Sequence, residues 1–223
     1  TVLTAWHVVK FNNPGEELAI FTPDGKEHQL EQGSIQRLGQ VDMAVLTFSS
    51  GGAYEVASVG DIKSVSSGNP IFVSGFPLPT SSFPISSWRF EKGMVKVNAA
   101  VFIPDGYQLL YSTHTLPGMS GGSVLNRQGK LVGIHGRSEQ DDQVSIREGK
   151  MISTGTNKAV PISYYKQFDT GQTVIASRTQ ATSADDYLAQ AQALEGVKGR
   201  EREMIRLANQ ALALQPSALG YFY

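Results

Sequence analysis

The chain has 223 residues, of which 40% are hydrophobic and 17% charged, and this is enough apolar material to bury the cores of more than one structural unit. A formal net charge of −1 gives the protein no general attraction to nucleic acids or anionic membranes. No run of about 18 apolar residues is present, which argues against a membrane span in this chain. The absence of cysteine excludes disulfides and thiolate metal sites.

The first part of the chain alternates short apolar runs with turn residues. His7 lies in a β-type apolar run, residues 4–9, that closes into a turn. Turns are predicted at residues 12–15 and 22–25, the second joining a hairpin, and His28 on that hairpin is expected to be solvated. Strands are predicted over Thr1–Ala5, Leu18–Phe21, Lys26–Leu30, Ile35–Leu38 and Met43–Phe48. Many short strands at this spacing favour a barrel or sandwich.

The middle of the chain continues this pattern to a short closing helix at Ile162–Phe168. The proline-rich segment Phe76–Pro84 cannot be a central strand. Strands are predicted over Ile71–Gly75, Ser87–Val97, Val101–Ile103, Leu109–Tyr111, Val124–Leu125, Lys130–His135 and Lys158–Pro161. The charged segment Ser138–Ser153 is expected to be a solvated loop, because its paired aspartates lack the spacing of a calcium loop. No metal site or cofactor is predicted.

The segment Leu116–Ser123 places a serine among three glycines between two strand-like runs. One interpretation is a tight loop whose backbone N–H groups converge beside the Ser120 hydroxyl to form an oxyanion hole. The alternative is a glycine-rich turn with an incidental serine.

Upstream residues favour the catalytic interpretation. A serine hydroxyl is a poor nucleophile unless an imidazole accepts its proton and a carboxylate orients that imidazole. His7 precedes Asp42, which stands at the mouth of a strand, and Ser120 follows both. The order His, Asp, Ser is the order found in chymotrypsin.

The segments TAWHVV, DMAVL, GMSGGS and GKLVGIHG resemble the chymotrypsin-like serine peptidases, especially their cysteine-free bacterial members. The resemblance covers residues 1–168. It implies an all-β fold of two barrels, about 1–66 and 67–168, with the site in the cleft between them. It also implies that Ser120 is the nucleophile, His7 the general base and Asp42 the orienting carboxylate. The N–H groups of Gly118 and Ser120 would form the oxyanion hole, and the partner would be a peptide or protein.

Two positions depart from the family pattern. Met119 replaces the aspartate that pairs with a newly cut N-terminus in the digestive members, so activation by that insertion is not expected. Trp6 is bulkier than the usual neighbour of the base, and either packs under the His7 loop or narrows the site. The chain also begins inside the strand that leads to His7, so the family's first strands are expected to be missing.

The residues around the serine also resemble the bacterial glutamyl endopeptidases, through Thr115 and the sequence Gly-Ile-His that ends at His135. A hydroxyl and an imidazole can bind a carboxylate, and a protonated His135 would add charge, which predicts cleavage after Glu or Asp. Ser138 would contribute to the pocket, and the backbone of residues 135–137 would pair with an extended substrate. Alternatively, His135 is a core histidine and Arg137 a solvated edge charge. His114, in place of an aspartate, argues against a Lys/Arg pocket.

The C-terminal part has a different character. Residues 169–184 are rich in Thr, Ser, Gln and Gly and are predicted to form a linker. Residues 185–223 contain two stretches with helical spacing and resemble a truncated tetratricopeptide-like helical hairpin, a module that binds protein partners. The alternative is a plain amphipathic hairpin that packs on the barrel.

Two functions are compatible with these features: an active serine endopeptidase with an appended repeat, or an inactive peptidase fold that serves as a scaffold. The intact set of His7, Asp42 and Ser120, with Gly118, Gly121 and Gly122, favours the first. The family resemblance favours an exported, periplasmic or extracellular bacterial protein.

Overall fold

The computed structural model describes residues 1–10, 18–31, 33–81, 84–140, 153–174, 179–216 and 220–221. The predicted turn at residues 12–15 and the aspartate pair at 141–142 lie outside them. The strands are β1 Val2–Thr4, β2 Ala19–Phe21, β3 Glu27–Gln29, β4 Gln36–Arg37, β5 Ala44–Leu46, β6 Pro70–Gly75, β7 Arg89–Asn98, β8 Leu109–Ser112, β9 Ser123–Leu125, β10 Leu131–Gln140 and β11 Ser153–Pro161. The helices are α1 Trp6–Val9, α2 Ser163–Asp169, α3 Ala184–Ala193 and α4 Glu201–Leu214, with a 3₁₀ turn at Ile62–Ser64.

Six strands form a closed antiparallel barrel in the order β10-β11-β8-β7-β6-β9, and pairing of β9 with β10 closes the ring. Strand β6 alternates between half-buried and buried residues, so that Ile71 and Val73 face the interior, as the period of two along a strand requires. They pack inside the barrel against Val95, Leu109 and Val124. The barrel provides the rigid frame on which the serine loop, between β8 and β9, is held.

The first half of the chain differs from the predicted closed barrel. Its described residues form a three-stranded sheet, β1-β5-β4, and a separate hairpin of β2 and β3. Strands of two or three residues offer few ladder hydrogen bonds, and three strands are too few to close a cylinder. The hairpin itself was predicted, but His28 is not simply solvated: its Nε2 lies 3.1 Å from Thr22 Oγ1 and 3.2 Å from Tyr54 Oη.

The run around His7 is helical where the sequence predicts a β-type run. After β1, residues Trp6–Val9 form a single helical turn, in which Lys10 N donates to Trp6 O at 2.9 Å. The Trp6 side chain packs beside Val9 and the Arg37 guanidinium lies 5.8 Å from its ring centroid. Trp6 therefore contributes to the core cluster of Val9, Ala44 and Leu46.

One core cluster joins the two halves of the β region. Leu38, Val41 and Met43 from the first half pack with Tyr107 and Ile162 from the second. The segment Val101–Ile103, predicted as a strand, contributes buried side chains without belonging to a strand. This shared core fixes the distance between the segments that carry His7 and Ser120.

Helices α3 and α4 form a hairpin that packs on the barrel. Leu188 and Ala189 of α3 and Ala211 of α4 share a core with Val97 and Leu110 of the barrel. Ser183 caps α3 in a capping box, accepting a hydrogen bond from Asp186 N, as its sequence position before two aspartates favours. The hairpin therefore buries its inner face on the barrel, while its assignment as a tetratricopeptide-like repeat stays a prediction.

Candidate active site

Helix α1 and the turn before β5 bring His7 and Asp42 together. His7 Nδ1 lies 2.6 Å from Asp42 Oδ2, and the His7 backbone N–H donates to Asp42 Oδ1 at 2.7 Å. The two contacts hold both carboxylate oxygens against the same residue, so the imidazole is oriented by its own backbone as well as by its ring. A carboxylate at Nδ1 favours the tautomer that leaves Nε2 free to accept a proton.

Asp42 is only 4% exposed and is nevertheless held as a carboxylate. Burial by itself would raise its pKa, but hydrogen bonds from the His7 ring, the Tyr107 hydroxyl and the His7 backbone lower the pKa below its usual value. The Tyr107 hydroxyl is the partner that the sequence did not reveal, and it donates to Asp42 Oδ2. The charge of Asp42 is therefore available to stabilise an imidazolium at His7.

The serine loop has the glycines that a tight turn requires. Gly118 has φ +96°, and a Cβ there would lie 2.5 Å from Leu78 N; at Gly122 it would lie 2.0 Å from Ser74 O. Gly121 N donates to His135 O at 2.8 Å, which ties the loop to β10. Within the described chain, the N–H groups of Gly118 and Ser120 have no backbone acceptor. They are the two donors expected at an oxyanion hole.

The Ser120 side chain faces β10. Its Oγ donates to Gly136 O at 2.8 Å, and among the described residues no hydrogen bond joins it to His7. Gly136 lies at a register shift between β10 and β11, between the pairs His135–Ala159 and Arg137–Lys158. Met119, next to the serine, is buried and its Sδ accepts from Leu116 N at 3.4 Å, which matches the expectation that it makes no ion pair.

Thr115 and Ser138, both predicted to line a pocket, lie together. Their hydroxyl oxygens are 2.9 Å apart. Both hydroxyls donate to Asn157 Oδ1, and the distance from Ser138 Oγ is 2.9 Å. The Asn157 amide is anchored by donation to Thr113 O at 2.8 Å. These side chains form a polar group at one end of the barrel, next to the segment that precedes the serine loop.

His135 is buried in the core, the second of the two alternatives considered for it. It is 2% exposed, and burial lowers its pKa to about 4, with a smaller contribution from the charge of His7. Its Nδ1 lies 2.7 Å from the hydroxyl of buried Tyr111, and in the described chain no hydrogen bond joins its side chain to Thr115 or Ser138. The imidazole is therefore neutral at physiological pH, because a charged ring would lose its hydration there without gaining an anion.

Three polar residues of the site were missed from the sequence. Tyr107 follows the turn Pro104–Gly106 and no motif marks it. Tyr111 reads as an ordinary aromatic strand residue. Asn157 could have been found, because a polar residue that alternates with Ala159 and Pro161 on the inward face of a strand needs a partner.

Solved structures with a similar fold are known. The fold is similar to the HtrA-type protease AlgW bound to a decapeptide, with a TM-score of 0.55 and 19% identity over 77% of this chain and 49% of that one. A serine-to-alanine variant of AlgW bound to a tripeptide gives a TM-score of 0.54 and 19% identity, covering 76% of this chain and 50% of that one. This chain therefore spans about half the length of those proteases.

The amino-acid sequence itself identifies a protein family. No curated protein gives a significant match. None of the helices in the described residues is long and apolar enough to span a membrane. Residues 1–134, which include His7, Asp42 and Ser120, match the trypsin-like peptidase domain family. The chain belongs to the trypsin-like peptidase domain family.

Proposed function

We propose that the protein is a serine endopeptidase that hydrolyses peptide bonds through an acyl-enzyme on Ser120. The observation that carries the proposal is the His7–Asp42 pair, with 2.6 Å between Nδ1 and Oδ2, in a member of the trypsin-like peptidase family. The solved AlgW structures hold peptides, which supports a peptide substrate. No cofactor or metal is needed for this chemistry.

In the proposed reaction, His7 Nε2 accepts the Ser120 proton while Oγ attacks the scissile carbonyl carbon. The oxyanion that forms would accept hydrogen bonds from the N–H groups of Gly118 and Ser120. His7 then gives its proton to the amide nitrogen, which leaves as an amine. A water molecule, deprotonated by His7, attacks the ester carbonyl, and the proton returns to Ser120 as the acid product leaves.

The Ser120 hydroxyl must first leave Gly136 O. In the proposed reaction, rotation about the Ser120 Cα–Cβ bond would release the hydroxyl from this carbonyl. Catalytic hydrogen bonds are often absent before substrate binds. An extended substrate that paired with residues 135–137 would place a backbone N–H near the Gly136 carbonyl and so compete with Ser120 for it.

We also infer a preference for Glu, and less strongly Asp, before the scissile bond. Thr115 and Ser138 supply hydroxyl donors that can turn from Asn157 toward a substrate carboxylate. His135 would contribute as a neutral donor in the tautomer that carries its proton on Nε2, in which Nδ1 accepts from the Tyr111 hydroxyl 2.7 Å away. The inferred recognition therefore depends on hydrogen bonds rather than on an imidazolium, and Arg137 would add long-range attraction.

The preference is tested with peptides that differ only in having Glu, Gln, Asp, Lys or Phe before the scissile bond. We expect kcat/KM for Glu to exceed that for Gln, and Thr115→Val to reduce this ratio at least tenfold, since it removes one hydroxyl donor to a charge. Ser112→Ala is the matched control, because the Ser112 hydroxyl faces Met94 instead. Equal cleavage after Glu and Gln would refute the preference while leaving the peptidase proposal intact.

Two further proposals concern the whole protein. The α3–α4 hairpin would act as part of a repeat that binds protein partners, and the protein would be exported from a bacterial cell. The first is tested by measuring whether a partner captured by the full chain is lost when exposed residues of α4, such as Ile205, are replaced by Asp. Unchanged capture would refute it.

A further inference from the structure

Tyr107 reaches the catalytic carboxylate from the opposite half of the molecule. It follows the turn Pro104–Gly106, outside the barrel strands, and its hydroxyl donates to Asp42 Oδ2. Tyr107 is 8% exposed, so this hydroxyl is not exchanged freely for water. Asp42 thus accepts three hydrogen bonds, two from His7 and one from Tyr107.

The position of the Tyr107 ring requires a glycine at position 136. A Cβ at Gly136 would lie 2.2 Å from Tyr107 Cε1 and 2.9 Å from its Oη. Contacts of this length are not tolerated, so a side chain at position 136 and the Tyr107 ring compete for one volume. The ring fills the space beside Gly136, and its hydroxyl continues from there to Asp42.

The backbone around Tyr107 is joined to the Asp42 turn. Asp42 N donates to Asp105 O at 2.7 Å, and Val41 pairs with Asp105 in an isolated bridge. Gly106 has φ +79°, and a Cβ there would lie 2.7 Å from Val41 Cγ1, so the two turns approach closely. These backbone contacts between the two turns therefore fix the position of the Tyr107 hydroxyl relative to Asp42.

We propose that Tyr107 is a positioning residue of the peptidase, which fixes the Asp42 carboxylate so that both oxygens face His7. The proposal rests on the peptidase function proposed above. Without Tyr107, one lone pair of Asp42 Oδ2 would have no hydrogen-bond donor, and the carboxylate could rotate away from the imidazole. The Tyr107 hydroxyl donates to that oxygen and opposes the rotation. It also withdraws charge from Oδ2, which moderates how strongly Asp42 stabilises a protonated His7.

Among the described residues, the Tyr107–Asp42 contact lies beside the His7 ring and the Arg137 side chain. Asp42 faces the His7 ring on one side and Tyr107 on the other, and the Arg137 side chain acts on the Tyr107 hydroxyl. Burial and Asp42 raise the pKa of Tyr107, so it stays protonated as a donor, although Arg137 opposes part of this rise. The Arg37–Asp105 pair, 3.3 Å between Nη2 and Oδ1, involves the middle residue of the turn before Tyr107, and the two opposite charges largely neutralise each other.

The test compares Tyr107→Phe with Tyr164→Phe. Tyr164 belongs to the same core cluster and loses a similarly buried hydroxyl, but that hydroxyl donates to Gln108 Oε1. We expect Tyr107→Phe to lower kcat about 10–100-fold with little change in KM, and to move the acid limb of the pH–rate profile to higher pH. Tyr164→Phe should leave both the limb and kcat near wild type.

A second readout does not need peptidase activity. The proton between His7 Nδ1 and Asp42 gives a low-field proton NMR resonance, which His7→Ala should abolish. We expect this resonance to shift in Tyr107→Phe and not in Tyr164→Phe. 3-Fluorotyrosine at position 107, a stronger donor in an unaltered fold, should shift it in the opposite direction.

The outcomes separate the two proposals. An unmoved resonance and pH limb in Tyr107→Phe, or equal effects of the two Phe variants, would overturn the positioning role. A shifted resonance in a protein without hydrolytic activity would support the positioning role and refute only the peptidase function.

Discussion

Asp186 offers the most direct quantitative test of how the helical hairpin is held on the barrel. Its buried carboxylate accepts backbone N–H groups on both oxygens: from Ala100 and Val101 at Oδ1, both at 2.8 Å, and from Thr182 and Ser183 at Oδ2, at 3.0 and 3.1 Å. Asp186→Asn keeps one accepting oxygen and turns an NH₂ group toward the other two donors. Two buried N–H groups left without an acceptor cost about 1–3 kcal/mol each, so we expect a loss of about 2–6 kcal/mol.

The assay is urea unfolding followed by circular dichroism at neutral pH. Asp185→Asn is the matched control, because among the described residues Asp185 accepts one backbone hydrogen bond, from Asn98 N at 2.9 Å, which the amide oxygen of Asn can also accept. The free energy of unfolding of this variant should differ from wild type by less than about 1 kcal/mol. A loss below about 1 kcal/mol in Asp186→Asn, or equal losses in both variants, would refute the reasoning.

The same residue makes a pH prediction. Burial opposes ionisation of Asp186, but the backbone hydrogen bonds outweigh it and lower the pKa in the folded state. A carboxyl whose pKa is lowered on folding stabilises the protein above its unfolded pKa of about 3.9, and that contribution is lost as the pH falls through the folded value. The difference in stability between wild type and Asp186→Asn should therefore shrink below about pH 4.

Two other predictions concern the site. Asp42→Asn should lower kcat by about 10⁴-fold with the fold retained, because an amide at this position favours the wrong tautomer of His7; steady-state kinetics would show it, and a change below tenfold would contradict the assignment. Gly122→Ala should cost about 3 kcal/mol or more, because its Cβ would meet Ser74 O at 2.0 Å. Gly129→Ala, with φ +71° and open space, should cost only about 1–2 kcal/mol; equal losses in urea unfolding would contradict this contrast.

The sequence predicted those parts of the fold that depend on local patterns. The β2–β3 hairpin and strand β6 follow from turn residues and from alternation of apolar residues, which act over a few positions. The helical turn at His7 was missed because Val8 and Val9 favour strands, while the backbone bond from Val8 N to Ala5 O, at 3.1 Å, and packing decide the conformation.

In the site, too, some residues could be predicted from the sequence and others depend on three-dimensional packing. His7, Asp42 and Ser120 were predicted because the chemistry requires those residue types and because their order along the chain is that of chymotrypsin. Tyr107 was not, because its role depends on the space beside Gly136 and on a contact with Asp42, 65 residues away, and neither is visible in the sequence. The protonation state of His135 could not be predicted for a related reason: its burial, which lowers its pKa to about 4, follows from the three-dimensional packing.

The most direct test of the central claim is covalent labelling by a fluorophosphonate, read by mass spectrometry of the intact protein and its peptides. We expect one adduct, on Ser120, in the wild type, none in Ser120→Ala, and a rate at least 10³-fold lower in His7→Ala. Folded wild-type protein that gains no adduct, or that is labelled equally in Ser120→Ala, would contradict the account and favour an inactive scaffold.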